Sequence, residues 1–180
     1  MSETITSDQL TVLLVHGAFA ESSSWAGVIE RLQAAFAPDE GEVLLEVTGT
    51  SKDSVLGTAL VAHQYATEGG TLTEFTIDPA KARDAFASDL TDTQANLVGT
   101  VQRPATDLAF TDPSGTPAWK SLPSWAVVAT SDRAAGTDLV RAHAERAGAD
   151  ITEVDGSHVI MISQPQAVVD VIESAIAKVG

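Results

Sequence analysis

Residues Thr11 to Trp25 read TVLLVHGAFAESSSW: an apolar run that passes through His16-Gly17 into three serines and an amphipathic segment. A continuous run of this kind, bounded by glycine, suits a strand buried on both faces. Ser22, Ser23 and Ser24 offer N-caps for a helix over about Trp25 to Ala35, in which Trp25, Val28, Ile29 and Leu32 share one face. A strand feeding directly into a helix opens an α/β unit. That constrains the chain toward a parallel sheet with flanking helices.

The far end repeats the pattern. Trp125 to Thr130 is a second buried strand, Thr137 to Ala147 a helix ended by Gly148, and Ile151 to Val154 a third strand. Gln164 to Val179 closes the chain as an amphipathic helix. The middle is less regular. Ala37 to Glu42 reads as a turn, Val43 to Val47 as a short strand or the start of a helix, and Asp53 to Thr67 as a helix broken by Gly69-Gly70. Asp78-Pro79 starts a helix over about Ala80 to Leu90, and Thr91 caps another through Val101. Pro104 to Pro123 reads as irregular. No repeat or linker divides the chain, so a single domain over residues 1–180 is expected.

Twenty-five acidic against ten basic residues give a net charge of −15, a field that repels nucleic acid and anionic lipid; neither is expected as a partner. There is no cysteine, which removes disulfides and thiolate chemistry and fits a cytoplasmic setting. The first ten residues, MSETITSDQL, lack the basic and apolar regions of a signal peptide. No apolar run approaches the ~18 residues of a membrane span.

Three places carry chemistry. His16-Gly17 sits at the C-terminal end of the first strand, where ligands gather in open α/β sheets. Glycine there lets the backbone present an N–H toward a developing oxyanion. Asp132 follows the second strand at the equivalent end of the sheet, and His158 lies in the loop after the last strand. Taken singly, each has a plainer reading: a turn, a turn-forming aspartate, a surface histidine.

Together they resemble the α/β-hydrolase superfamily, in particular its small esterase-like and hydroxynitrile-lyase-like members. The resemblance runs through VLLVHGAFAESSSWAGVIERLQAA, FAPDEGE, FTIDPAKARDAFASDL, WKSLPSWAVVATSDR and AERAGADITEVDGSHVIMISQPQAVVDVI. It implies an α/β-hydrolase fold, with residues of about 37–120 matching the helical lid. It implies that Asp132 orients His158, that His158 acts as general base, and that the backbone at Ala18 and Phe19 forms part of the oxyanion hole.

The chain departs from this family at one point. The family's nucleophile is a serine on a G-x-S-x-G turn, and no G-x-S-x-G occurs in the 180 residues. The helix ending near Ala35 runs at once into the segment resembling the lid, as if an internal block holding the nucleophile and central strands were missing. Loss of those strands leaves three outcomes: Val43 to Val47 fills the gap in the sheet, an edge stays exposed, or a homodimer completes it. The nearest imitation of the nucleophile turn is Gly49-Thr50-Ser51-Lys52-Asp53, where Asp53 replaces the second glycine and disfavours an oxyanion; Ser51 reads better as a turn or capping serine. Ser157 is tied to His158 by the backbone in a poor pairing geometry, and Ser22 to Ser24 read as a cap. His63 and His143, read as helical, have no second ligand at i+4 for zinc. Trp25, Trp119 and Trp125 read as core or rim aromatics.

No cofactor or metal is expected. The leading expectation is an esterase-like member of the family, catalytically impaired, that meets a small apolar or ester-type molecule. The alternative is a non-catalytic pseudoenzyme that binds such a ligand, or a non-functional deletion product.

Overall fold

The computed structural model describes residues 51–111 and 118–179, together with Val28 and Arg31. The expected strands at Thr11 to Val15 and Val43 to Val47 lie outside these residues. Val28 and Arg31 are both helical, within the span read as the first helix, and Val28 is fully buried.

The C-terminal part is the α/β unit that the sequence predicts. Strand β4 (Trp125–Ala129) pairs in parallel with β5 (Asp150–Val154), from Trp125↔Asp150 to Ala129↔Val154. Helix α4 (Thr137–Arg146) makes the crossover between them, and Gly148 at φ +64° ends it in the left-handed conformation that glycine reaches most readily. A short helix α5 (Ile160–Ser163) leads into α6 (Pro165–Val179). The buried Val168 and Val169 of α6 pack with Ala129, Ile160 and Val28.

The middle of the chain folds differently from its reading. A 3-10 turn at Leu56–Thr58 is followed by β1 (Leu60–Thr67) and β2 (Gly70–Ile77), an antiparallel hairpin in register from Leu60↔Ile77 to Thr67↔Gly70. The expected helix over Asp53 to Thr67 is therefore corrected to a turn and a strand. His63 accordingly lies on β1, where Nε2 sits 3.0 Å from Thr76 Oγ1 across the hairpin. Gly69-Gly70 closes the hairpin rather than breaking a helix.

Helix α1 (Pro79–Phe86) starts at Asp78, whose carboxylate accepts from Ala80 N–H at 3.0 Å. Helix α2 (Asp92–Val101) carries the expected Thr91 cap as a reciprocal capping box with Gln94. Pro104 to Pro123, read as irregular, holds the two-residue strand β3 (Ala105–Thr106) on β2 and the single turn α3 (Leu108–Thr111). A second buried cluster joins this segment to the α/β unit: Ile77, Ala82, Phe86, Leu90 and Ala95 pack with Ala134 and Val159.

Candidate functional site

Asp132 follows β4 in a turn that its own side chain organises. Beyond the ladder, Ser131 N–H still donates to Gly156 O at 3.0 Å, tying the two strand ends together. Thr137 then closes the turn: it donates to Ala129 O at 2.7 Å and its hydroxyl accepts from Asp132 N–H at 3.1 Å. Asp132 Oδ1 accepts from the N–H groups of Ala134 (2.8 Å) and Ala135 (3.0 Å). The turn ends at Gly136, whose φ of +93° an L side chain rarely adopts and whose absent Cβ leaves room for Ser51.

One oxygen is thus given to the backbone and the other is left for His158. Asp132 Oδ2 lies 2.9 Å from His158 Nδ1. Asp132 is 5% exposed, so the pair sits largely out of water on the acid's side. Burial alone would push the Asp132 carboxyl up. The hydrogen bond and charge of His158, with the N–H groups of Ala134 and Gly136, outweigh it and hold the carboxyl below its ordinary value.

The imidazole is fixed on a third side. His158 follows Gly156 and Ser157 in the β5–α5 loop, and the Phe86 ring of α1 lies against it, centroids 4.6 Å apart at 49°. With Nδ1–H donating to the carboxylate, the neutral ring carries its lone pair at Nε2. Among the described residues no hydroxyl bonds that nitrogen.

Ser51 stands elsewhere. Its hydroxyl donates to Asp138 in the first turn of α4 and accepts from the N–H groups of Asp53 (3.0 Å) and Ser54 (3.1 Å). It closes a turn onto α4 and has no bond to His158. Ala18 and Phe19, the expected oxyanion donors, lie outside the described residues, as do Ser22 to Ser24 and Trp25. Ser157 is buried and donates to Asp89. Trp119 lies under Arg146, 5.5 Å from the ring, and Trp125 under Lys178 at 5.9 Å, a rim position for each.

Sequence reasoning missed Phe86 and Asp89. Both belong to the stretch DAFASDL, where nothing in the local pattern points to the loop of His158; Asp89 and its partner Ser157 are 68 residues apart in the chain. A polar cavity of about 400 Å³ opens beside the same loop, lined by Asp89, Ser131, Asp155, Gly156 and Ser163; neither Asp132 nor His158 lines it. Among the described residues no group of three or more His, Cys, Asp or Glu is placed to hold a metal, and no helix is long and apolar enough to cross a membrane.

The state of Asp132 has a consequence for stability. Folding lowers its pKa, so the unfolded chain binds that proton more tightly. The contribution is complete above the ordinary value of 3.8 and is lost as pH falls through the lower folded value. Acid unfolding followed by circular dichroism is expected to be steeper in the parent than in Asp132→Asn. Parallel acid limbs in the two proteins would remove Asp132 as the source.

Part of this fold has likenesses among known proteins. The model of the alpha/beta hydrolase family matches residues 38–171. Among solved structures, polyneuridine aldehyde esterase superposes with a TM-score of 0.56 at 15% identity, covering 64% of this chain and 48% of its own. A histidine-to-alanine mutant of that esterase gives 0.55 at 16% identity with the same coverage. The chain spans about half the length of these structures. No curated protein sequence matches it. With the family model spanning most of the sequence, the chain belongs to the alpha/beta hydrolase family.

Proposed function

We propose that this protein is an esterase-type hydrolase whose acid–base pair is intact and whose covalent step is impaired. The observation that carries the reading is the buried Asp132 bonded to His158 Nδ1, which leaves Nε2 without a partner among the described residues. A base so held takes a proton from whatever nucleophile reaches it.

In the absence of a G-x-S-x-G serine that nucleophile is water. Ser51 is a poor substitute because its hydroxyl is committed to Asp138. Water adds to the ester carbonyl as its proton passes to Nε2. The tetrahedral intermediate then collapses, and the alcohol leaves with the proton that Nε2 returns, giving acid and alcohol. Backbone N–H groups at Ala18 and Phe19 are the proposed support for the oxyanion. General-base catalysis of this kind contributes about 10²–10⁴-fold, far less than a complete nucleophilic triad. The missing G-x-S-x-G also favours a second reading, a binding protein that holds a small ester-type or apolar molecule without turning it over.

Hydrolysis of p-nitrophenyl acetate beside His158→Ala, with fluorophosphonate labelling, separates these. A slow turnover that falls to the buffer rate in the variant, with no serine labelled, is the expected result. One labelled serine would replace water with a covalent nucleophile. Equal rates in both proteins would leave the binding reading.

A further inference from the structure

The loop that carries His158 is fastened from the other side by a carboxylate. Asp89 lies between α1 and α2, in the segment that also supplies Phe86. Its carboxylate accepts from the Ser157 hydroxyl, and Ser157, the residue before His158, is 2% exposed. Burial pushes the Asp89 carboxyl up, but the Ser157 hydroxyl, then the Ser163 hydroxyl and the N–H groups of Ser157 and of Asp89 itself, outweigh it and hold the carboxyl below its ordinary value. Gly156 makes the approach feasible: a Cβ there would stand 2.8 Å from Asp89 Oδ2 and 2.3 Å from Ile160 Cδ1.

We propose that Asp89 is a positioning residue for His158, clamping the base-bearing loop to the α1–α2 segment through Ser157 while Phe86 holds the ring. The inference rests on reading His158 as the base. The chain of contacts is short. Asp132 fixes Nδ1, Phe86 limits the tilt of the ring, and the Asp89–Ser157 bond fixes the backbone from which the ring projects. Two of these three restraints come from the segment outside the α/β unit. That segment therefore does more than cover the site: it sets the position of the base. The serine beside the histidine is likewise explained as an anchor rather than a nucleophile, since its hydroxyl proton is already directed at Asp89.

A group that supports a catalytic side chain acts through geometry, and misplacement by about 1 Å can cost on the order of 10²-fold in rate. The direct readout is the downfield Nδ1–H proton of His158 in the NMR spectrum, assigned by its loss in His158→Ala. In Asp89→Ala the signal is expected to broaden through exchange with water. His158-dependent turnover of p-nitrophenyl acetate should fall at least about tenfold in kcat with KM little changed. Asp89→Asn, which still accepts from the Ser157 hydroxyl, should restore the signal. Ser157→Ala should reproduce Asp89→Ala, and the double variant should be no worse than either single one. If Asp89→Ala does not fold, Ser157→Ala and Asp89→Asn carry the test. A sharp, unshifted Nδ1–H signal in folded Asp89→Ala would overturn the clamp, as would full additivity or an Asp89→Asn signal as broad as that of the alanine variant. The NMR arm reads the clamp even in a protein without turnover, so failure of the hydrolase reading is seen separately.

Discussion

Asp132→Ala is expected to lower stability by about 3 kcal/mol, while Asp132→Asn costs much less and still removes the acceptor of the His158 Nδ1–H. The alanine variant orphans the N–H groups of Ala134 and Ala135 in a turn that is largely buried, and an unsatisfied buried donor costs about 1–3 kcal/mol. For a chain of this size a loss near 3 kcal/mol lowers Tm by about 6–12 °C. The asparagine variant keeps an oxygen for those donors. Its amide nitrogen, however, faces His158 as a donor where the carboxylate was an acceptor. Nδ1 must then accept, the proton moves to Nε2, and the ring presents a donor where a base is needed. Any His158-dependent hydrolysis should drop by about 10²–10⁴-fold in Asp132→Asn, with Tm close to the parent's. Thermal melts and esterase rates on the two variants check this together. Equal melting temperatures for Asp132→Ala and Asp132→Asn would show that the turn does not depend on this carboxylate.

What the sequence reveals and what it hides follow from the range of the interactions. Strand β4 is legible because it is a short apolar run bounded by turn residues; β5, DITEV, is less apolar and is framed by Gly148, which ends the helix before it, and by Asp155-Gly156 after it. The Thr91 cap is legible because a capping box spans only four residues. The hairpin was hidden in LVAHQYAT, where Ala62, His63, Gln64 and Ala66 give no alternation and β1 is exposed along most of its length. Its clearer half is β2, in which Glu74-Phe75-Thr76-Ile77 alternates, and a two-residue turn before it is a hairpin signal. Asp132 and His158 stand out in the sequence through their places at strand ends taken together with the resemblance to the α/β-hydrolase family. Phe86 and Asp89 were not, because they lie on a separate segment that only tertiary packing brings to the loop.

Phe86→Ala is expected to be the most damaging single change in the α1–α2 segment. Phe86 is 2% exposed and stands in the buried cluster with Ala82, Leu90 and Val159 while its ring covers His158. Truncating a buried phenylalanine costs about 3–5 kcal/mol, through lost transfer energy and the cavity left behind. In a protein of this length that lowers Tm by about 6–20 °C. The cavity opens beside the imidazole, so the ring gains room to leave Asp132 and the rate should suffer along with stability. Phe86→Leu separates the two effects: it refills much of the volume but removes the aromatic contact, worth about 0.5–1.5 kcal/mol between rings. The leucine variant should therefore recover most of the melting temperature and only part of the His158-dependent rate. If leucine restores rate and stability in the same proportion, Phe86 acts by filling space alone. If the rate lags behind, the face of the ring itself holds the base, and the segment that packs the core also aligns the chemistry.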